Sequence, residues 1–364
     1  MNILFIHQTM MGSLSATGKL LTSLTYDLSK NINYFEICFD IDNMGFSSSQ
    51  YNLSKLLINR DIKKRLKNIL NKNKIDIVIY RPDKKIIELA PLLLELQSRY
   101  SYKIITSVMD SWFDSTDTEL LNTVFTASQG IWFISDAMQT YFLSLFDISA
   151  PQYVIANGID LQYFRFPSII PQQKPKRLIC CFFGSINEQQ TYDGLSLIAK
   201  VLNEKQFKFE IYSRQYQTKL AEKLLKYPTV SLYPPIIKEY QYFAKLNSAD
   251  ILVIPYSWNK ESVHYLKYSF GNKIPECLAT GKPIIACGSP EINNINYLKS
   301  IGIAGVINEA NETLAKEKLI EYTQHLYNNY TDYLRLSQSN RIKIQEEFNL
   351  KNKRQQFYQM LLDT

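Results

Sequence analysis

Three histidines (His7, His264 and His325) in 364 residues are too few and too scattered to build a histidine-based metal centre. The five cysteines, Cys38, Cys180, Cys181, Cys277 and Cys287, are odd in number and lack metal-ligand spacing. Lying mostly in apolar strand or helix contexts, they read as reduced core thiols of a cytoplasmic protein rather than a disulfide framework. No run of eighteen apolar residues occurs, so no membrane-spanning helix is expected. The first residues, Met1-Asn2-Ile3-Leu4-Phe5-Ile6-His7, have neither a basic segment nor a cleavage site and read as a buried strand, not a leader. There is no Gly-x-Gly-x-x-Gly, which weakens the case for ordinary dinucleotide binding. No internal repeat and no recognised nucleic-acid-binding motif is evident.

What the chain does have is the composition of a folded protein: 46% hydrophobic and 21% charged residues, with a mean hydropathy of −0.19. Its length suggests about two domains. Apolar runs alternate with helical patterns, which predicts α/β architecture with parallel sheets. Strands are expected at Ile3–His7, Phe35–Phe39, Ile75–Tyr80, Lys103–Val108, Ile131–Ile134 and Tyr153–Ala156. A second series is expected at Leu178–Phe183, Phe207–Tyr212, Val230–Tyr233, Ile251–Pro255, Pro283–Cys287 and Ala304–Ile307. Residues 166–176, with three prolines and little periodicity, read as a linker. The expected division is 1–165, the linker 166–176, 177–348, and a final helix in 349–364 with Phe357, Met360 and Leu361 on its apolar side.

The net charge of +7 is unevenly distributed. Between Lys55 and Lys74 lie Lys55, Arg60, Lys63, Lys64, Arg65, Lys67, Lys72 and Lys74 against Asp61 alone. Ile58, Ile62, Leu66, Ile69 and Leu70 recur at helical spacing beneath this basic rim. The segment is either a helix with a solvated basic face or a contact for anionic lipid headgroups.

The most informative stretch runs from Tyr268 to Ile285. A polar turn, Ser269-Phe270-Gly271-Asn272, opens an apolar helix; Thr280-Gly281 stops it, and Pro283 begins a strand. Such a turn presents backbone N–H groups suited to an anion. Lys273 and Glu276, three residues apart, share one helix face. Taken by themselves, they are either a nucleotide-holding pair or an ordinary surface Lys–Glu pair.

This stretch resembles the donor-binding signature of GT-B glycosyltransferases, with Lys273, Glu276, Ala279, Gly281 and Pro283 at the family's spacing and a Ser-x-x-x-Lys-x-x-Glu pattern read from Ser269. Ala156-Asn157-Gly158-Ile159-Asp160, followed by Phe164, resembles the element that ends the N-terminal domain in that family. The resemblance implies two Rossmann-like domains facing a cleft, an N-terminal acceptor domain, a C-terminal donor-nucleotide domain, and a last helix crossing back to the first. It implies a metal-independent, cytoplasmic sugar transferase. The donor would be a UDP- or GDP-sugar, and the acceptor a glycan or lipid-linked saccharide in surface polysaccharide or glycoconjugate synthesis. Lys273 would stabilise the leaving diphosphate and Glu276 would hold the ribose. Gly184, Ser185, Arg214, Pro235, Ile236 and Tyr256 would line the donor site, while His7, Gly12 and Asp114 would face the acceptor or donor sugar. No Asp-x-Asp metal motif stands in a suitable loop. The pattern departs from the family where Tyr268 replaces a glutamate of retaining members, and where Ser185 and Gln189-Gln190 replace basic residues. Retention is favoured; an inverting enzyme with Asp110 as base is the alternative, as are an inactive GT-B-like subunit and an epimerase on the same fold.

Overall fold

The computed structural model describes residues 1–9, 16–26, 32–40, 55–83, 86–110, 117–164, 170–171, 173–188 and 190–364. The chain forms two compact units, Met1–Gly158 with Leu350–Thr364, and Ile159–Asn349.

The first unit runs β1 (Asn2–Thr9), α1 (Ala16–Thr25), β2 (Asn33–Asp40), α2 (Lys55–Lys72), β3 (Ile77–Tyr80), α3 (Ala90–Tyr100), β4 (Lys103–Val108), α4 (Thr118–Ala127), β5 (Gly130–Phe133), α5 (Asp136–Leu145) and β6 (Gln152–Val154). All neighbouring strands are parallel, in the order β2-β1-β3-β4-β5-β6. Parallel strands buried on both faces require continuous apolar runs, and β3 (IVIY) and β5 (GIWF) are buried at every position. One core joins Leu4, Ile6, Val78, Tyr80 and Ile104 of the sheet to Ile62, Leu66 and Leu70 of α2 and to Leu93 and Leu96 of α3. The apolar side of the basic helix thus faces the sheet.

The second unit runs β7 (Leu178–Phe183), α6 (Tyr192–Val201), β8 (Phe207–Tyr212), α7 (Lys219–Glu222), β9 (Val230–Tyr233), α8 (Glu239–Ser248), β10 (Ile251–Pro255), α9 (Lys260–Leu266), α10 (Lys273–Ala279), β11 (Ile284–Cys287), α11 (Asn293–Ser300), β12 (Val306–Ile307), α12 (Glu312–Asn328) and α13 (Tyr330–Glu347). Its parallel sheet has the order β12-β11-β10-β7-β8-β9. The order reverses direction between β7 and β10, and ligands of open α/β sheets bind at the carboxyl ends of strands beside such a switch point.

All twelve expected strands are present, most within a residue or two of the expected ends. The last is shorter than expected, beginning at Val306 rather than Ala304. At Gly305 the backbone passes so close to Ile284 O that a Cβ has no room. Strand β8 departs from the continuous apolar pattern. Phe207, Phe209 and Ile211 enter the core, whereas Lys208, Glu210 and Tyr212 occupy the alternate face.

The final helix, α14 (Leu350–Asp363), belongs to the first unit. Phe357 packs edge-on against Trp132 of β5 at 5.4 Å, and Met360 and Leu361 are buried beside it. Arg354 Nε donates to Ser23 O of α1 at 2.7 Å.

Candidate functional site

The loop 268–272 and helix α10 lie at the carboxyl end of the second sheet. Asn294 of α11 fastens this loop to the end of β10: its Oδ1 accepts from Gly271 N at 2.9 Å and its Nδ2 donates to Tyr256 Oη at 2.8 Å. The Gly271 amide, expected from the sequence to be open to an anion, is thereby occupied. Asn272 makes no side-chain cap at α10, whose next amide, Ile274 N, bonds Gly271 O at 3.1 Å.

Lys273 and Glu276 do meet, with Nζ 3.3 Å from Oε2. Between them stands Tyr242 of α8, which the sequence reading overlooked because its spacing with Phe243 and Leu246 is that of ordinary core. Its hydroxyl donates to Glu276 Oε2 and accepts from Lys273 Nζ at 2.9 Å. The lysine ammonium also lies 4.2 Å from the centre of the tyrosine ring, within cation–π range. Burial and the neighbouring Glu276 carboxylate push the Tyr242 phenol well above its usual pKa, so it remains a neutral donor. No phenylalanine or leucine can make this three-way junction.

Tyr242 belongs to a line of rings. It meets Phe183 edge-on at 5.3 Å; Phe183 stacks on Tyr212 at 5.0 Å, and Tyr212 on Tyr233 at 5.0 Å. The register explains the line, because Phe183 pairs with Tyr212 and Tyr212 with Tyr233 across β7, β8 and β9. Beneath it lies the buried Glu210, whose Oε1 takes Lys208 Nζ at 2.6 Å. Its Oε2 takes Lys245 Nζ at 2.7 Å and Tyr212 Oη at 3.0 Å.

The other expected donor-side residues fall at several places. Gly184 and Ser185 follow β7, beside the switch point; Gly184 N donates to Tyr212 O at 3.1 Å and Ser185 is exposed. Arg214 is exposed after β8, and Pro235 and Ile236 follow β9 half-buried. Ser269 Oγ turns back to Tyr265 O at 2.9 Å. The Phe270 ring stacks on Phe348 at 5.7 Å and meets Tyr297 edge-on at 5.1 Å, so its contacts are those of a packing residue. The far end of α10 is held from α13: Arg341 Nε and Gln345 Nε2 donate to Ala279 O at 3.0 and 3.1 Å.

On the first sheet, the expected acceptor-side residues are less complete, since Gly12 and Asp114 lie outside the described residues. Asp110, expected as a possible base, is engaged through Oδ2 by the guanidinium of Arg81. Arg81 follows β3, next to β4 in the sheet, and was not singled out from the sequence. A basic residue directly after an apolar strand was the available signal. His7 is buried in β1, with Nε2 2.9 Å from Glu36 Oε1 but out of line for a hydrogen bond.

Among the described residues no group of three or more His, Cys, Asp or Glu side chains is arranged to hold a metal ion, and no helix is long and apolar enough to cross a membrane. The sequence matches no protein-family model and no curated protein. Its architecture matches solved structures along their full length. Sucrose-phosphate synthase from Thermosynechococcus elongatus aligns with a TM-score of 0.70 at 13% identity, covering 99% of this chain and 98% of that one. An α,α-trehalose-phosphate synthase (UDP-forming) from Burkholderia xenovorans, solved with glucose-6-phosphate, aligns at 0.67 and 9% identity, over 99% and 100%. UDP-GlcNAc 2-epimerase from Neisseria meningitidis, bound to UDP-GlcNAc, aligns at 0.57 and 14% identity, over 100% of each chain. With its two parallel six-stranded sheets, the chain has the GT-B fold.

Proposed function

We propose that the protein is a glycosyltransferase that moves a sugar from a UDP- or GDP-sugar to a glycan or lipid-linked saccharide. The observation that carries this reading is the junction of Lys273, Tyr242 and Glu276 at the carboxyl edge of the second sheet. It sets a cation for a diphosphate beside a carboxylate for ribose hydroxyls. Group transfer needs charge to be met as it builds on the leaving diphosphate, and a preorganised ammonium at a half-dry site does this without rearrangement. Gly184, Tyr256 and the turn after β9 at Pro235 and Ile236 complete the donor side.

Retention is favoured, as the family resemblance implies; Asp110, the base of the inverting alternative, is held at Oδ2 by the guanidinium of Arg81. The acceptor is assigned to the first unit, where Arg81 and His7 stand at the carboxyl ends of their strands. An anionic membrane surface is assigned to the basic face of α2, on which Lys64, Arg65 and Lys72 are exposed, while Lys63 is spent on Glu95 at 2.9 Å. On this reading the enzyme works in the cytoplasm at the inner face of the membrane, without a metal.

A thermal-shift and calorimetric screen against UDP, GDP, CMP and their common sugar conjugates tests the proposal. Selective stabilisation by one nucleotide, lost in Lys273→Ala, is the expected result. Binding across the panel that ignores Lys273→Ala would refute the assignment of the site, and an absence of any binding would favour an inactive subunit.

A further inference from the structure

Lys273 and Glu276 by themselves are a poor device for holding a ligand. An i,i+3 ion pair whose lysine side chain is 38% exposed is weak, because solvent screens it. What distinguishes this pair is a third group that leaves the two charges little choice. A phenol has one proton to donate and lone pairs to accept with. The proton of Tyr242 goes to Glu276 Oε2, so the lysine N–H can approach only the oxygen lone pairs. The ring cannot turn away, because Phe183 and Phe243 pack against it at 5.3 and 5.0 Å and only 6% of the residue is exposed. The other carboxylate oxygen, Oε1, takes part in none of these contacts.

The geometry points to Tyr242 as a positioning residue of the donor site: its hydroxyl anchors Oε2 of Glu276, turning Oε1 toward the ribose, while its ring and oxygen steer the Lys273 ammonium toward the diphosphate. This inference rests on the nucleotide-sugar reading of the same site. On arrival of the nucleotide, Lys273 exchanges its 3.3 Å contact with Glu276 for a phosphate oxygen and keeps its contact with Tyr242. Tyr242 touches no reacting atom and acts only through the two residues it holds.

The test is calorimetry on the full chain with UDP and GDP and with their 2′,3′-dideoxy forms. Wild type binds one of the diphosphates and discriminates against its dideoxy form. Tyr242→Phe, which keeps the ring and its packing, weakens the parent nucleotide about tenfold and brings the ribose-to-dideoxyribose ratio close to one. In a Glu276→Gln background the same substitution leaves the ribose-to-dideoxyribose ratio unchanged, because its effect on the ribose runs through that carboxylate. An unchanged ratio in Tyr242→Phe, or a further change of the ratio in the double variant, would overturn the inference while leaving the donor reading intact. Failure of wild type to bind either diphosphate would overturn both.

Discussion

The buried Glu210 beneath the ring line invites a perturbation whose size can be worked from its contacts. The residue is 4% exposed, and its carboxylate takes hydrogen bonds from Lys208, Lys245 and Tyr212. Glu210→Gln keeps the shape and removes the charge. Breaking a fully buried pair costs about 3–5 kcal/mol, but the two lysine side chains here are 34% and 27% exposed and can turn to water. The amide also still accepts one hydrogen bond. About 2 kcal/mol of lost stability at pH 7 is the resulting expectation, from charge-assisted bonds contributing about 1.5–3 kcal/mol each before rehydration. For a unit of this size that lowers the unfolding midpoint by roughly 4–8 °C. The pH dependence has a definite sign. Burial works to raise the Glu210 pKa, and the hydrogen bonds from Lys208, Lys245 and Tyr212 overcome it, holding the group below its ordinary value of 4.5. A depressed carboxylate contributes stability above its unfolded pKa and loses it as pH falls through the folded one. The gap between wild type and Glu210→Gln should therefore be full at pH 7 and narrow steadily below pH 4.5. Differential scanning calorimetry across that range, following the transition of the second unit, measures it. Equal midpoints at neutral pH, or a gap that does not close on acidification, would refute the reasoning.

Gly281, at φ +65°, lies in the left-handed region just past α10, and a Cβ there would come within 3.1 Å of Arg341 Cδ. Gly281→Ala is expected to cost about 1–2 kcal/mol of stability, read as a lower unfolding midpoint of the second unit; an unchanged midpoint would contradict the fold around the helix stop. Burial pushes the Cys181, Cys277 and Cys287 thiols up to about 12 and Cys180 well above its usual value. Iodoacetamide at pH 8 should therefore label Cys38, the one half-buried thiol, ahead of the other four, as mass spectrometry of tryptic peptides would show. Rapid labelling of the buried four in the native state would disagree with the packing of β7, α10 and β11.

The secondary structure was legible because its signal is local. Parallel strands buried on both faces need runs such as Leu178–Phe183 and Ile251–Pro255, and any window of the chain reveals them. Gly281 and Thr280 marked a helix end for the same reason, and Lys273 and Glu276 were readable as a pair because both sit on one short helix. Tyr242 was not legible. Its position on α8 has the spacing of core residues, and only the packing of α8 against α10 turns its hydroxyl from a buried liability into a junction. Asp110 read as a candidate base, and only the pairing of β3 with β4, separated in sequence, brings Arg81 to it. Phe270, within the motif itself, finds its partners on α11 and at the end of α13. Sequence by itself determined the alternation of strands and helices and singled out Lys273 and Glu276 as a pair. The pairing of charges between elements was left to the tertiary structure, because contact across a sheet depends on strand order and register, which no local period encodes.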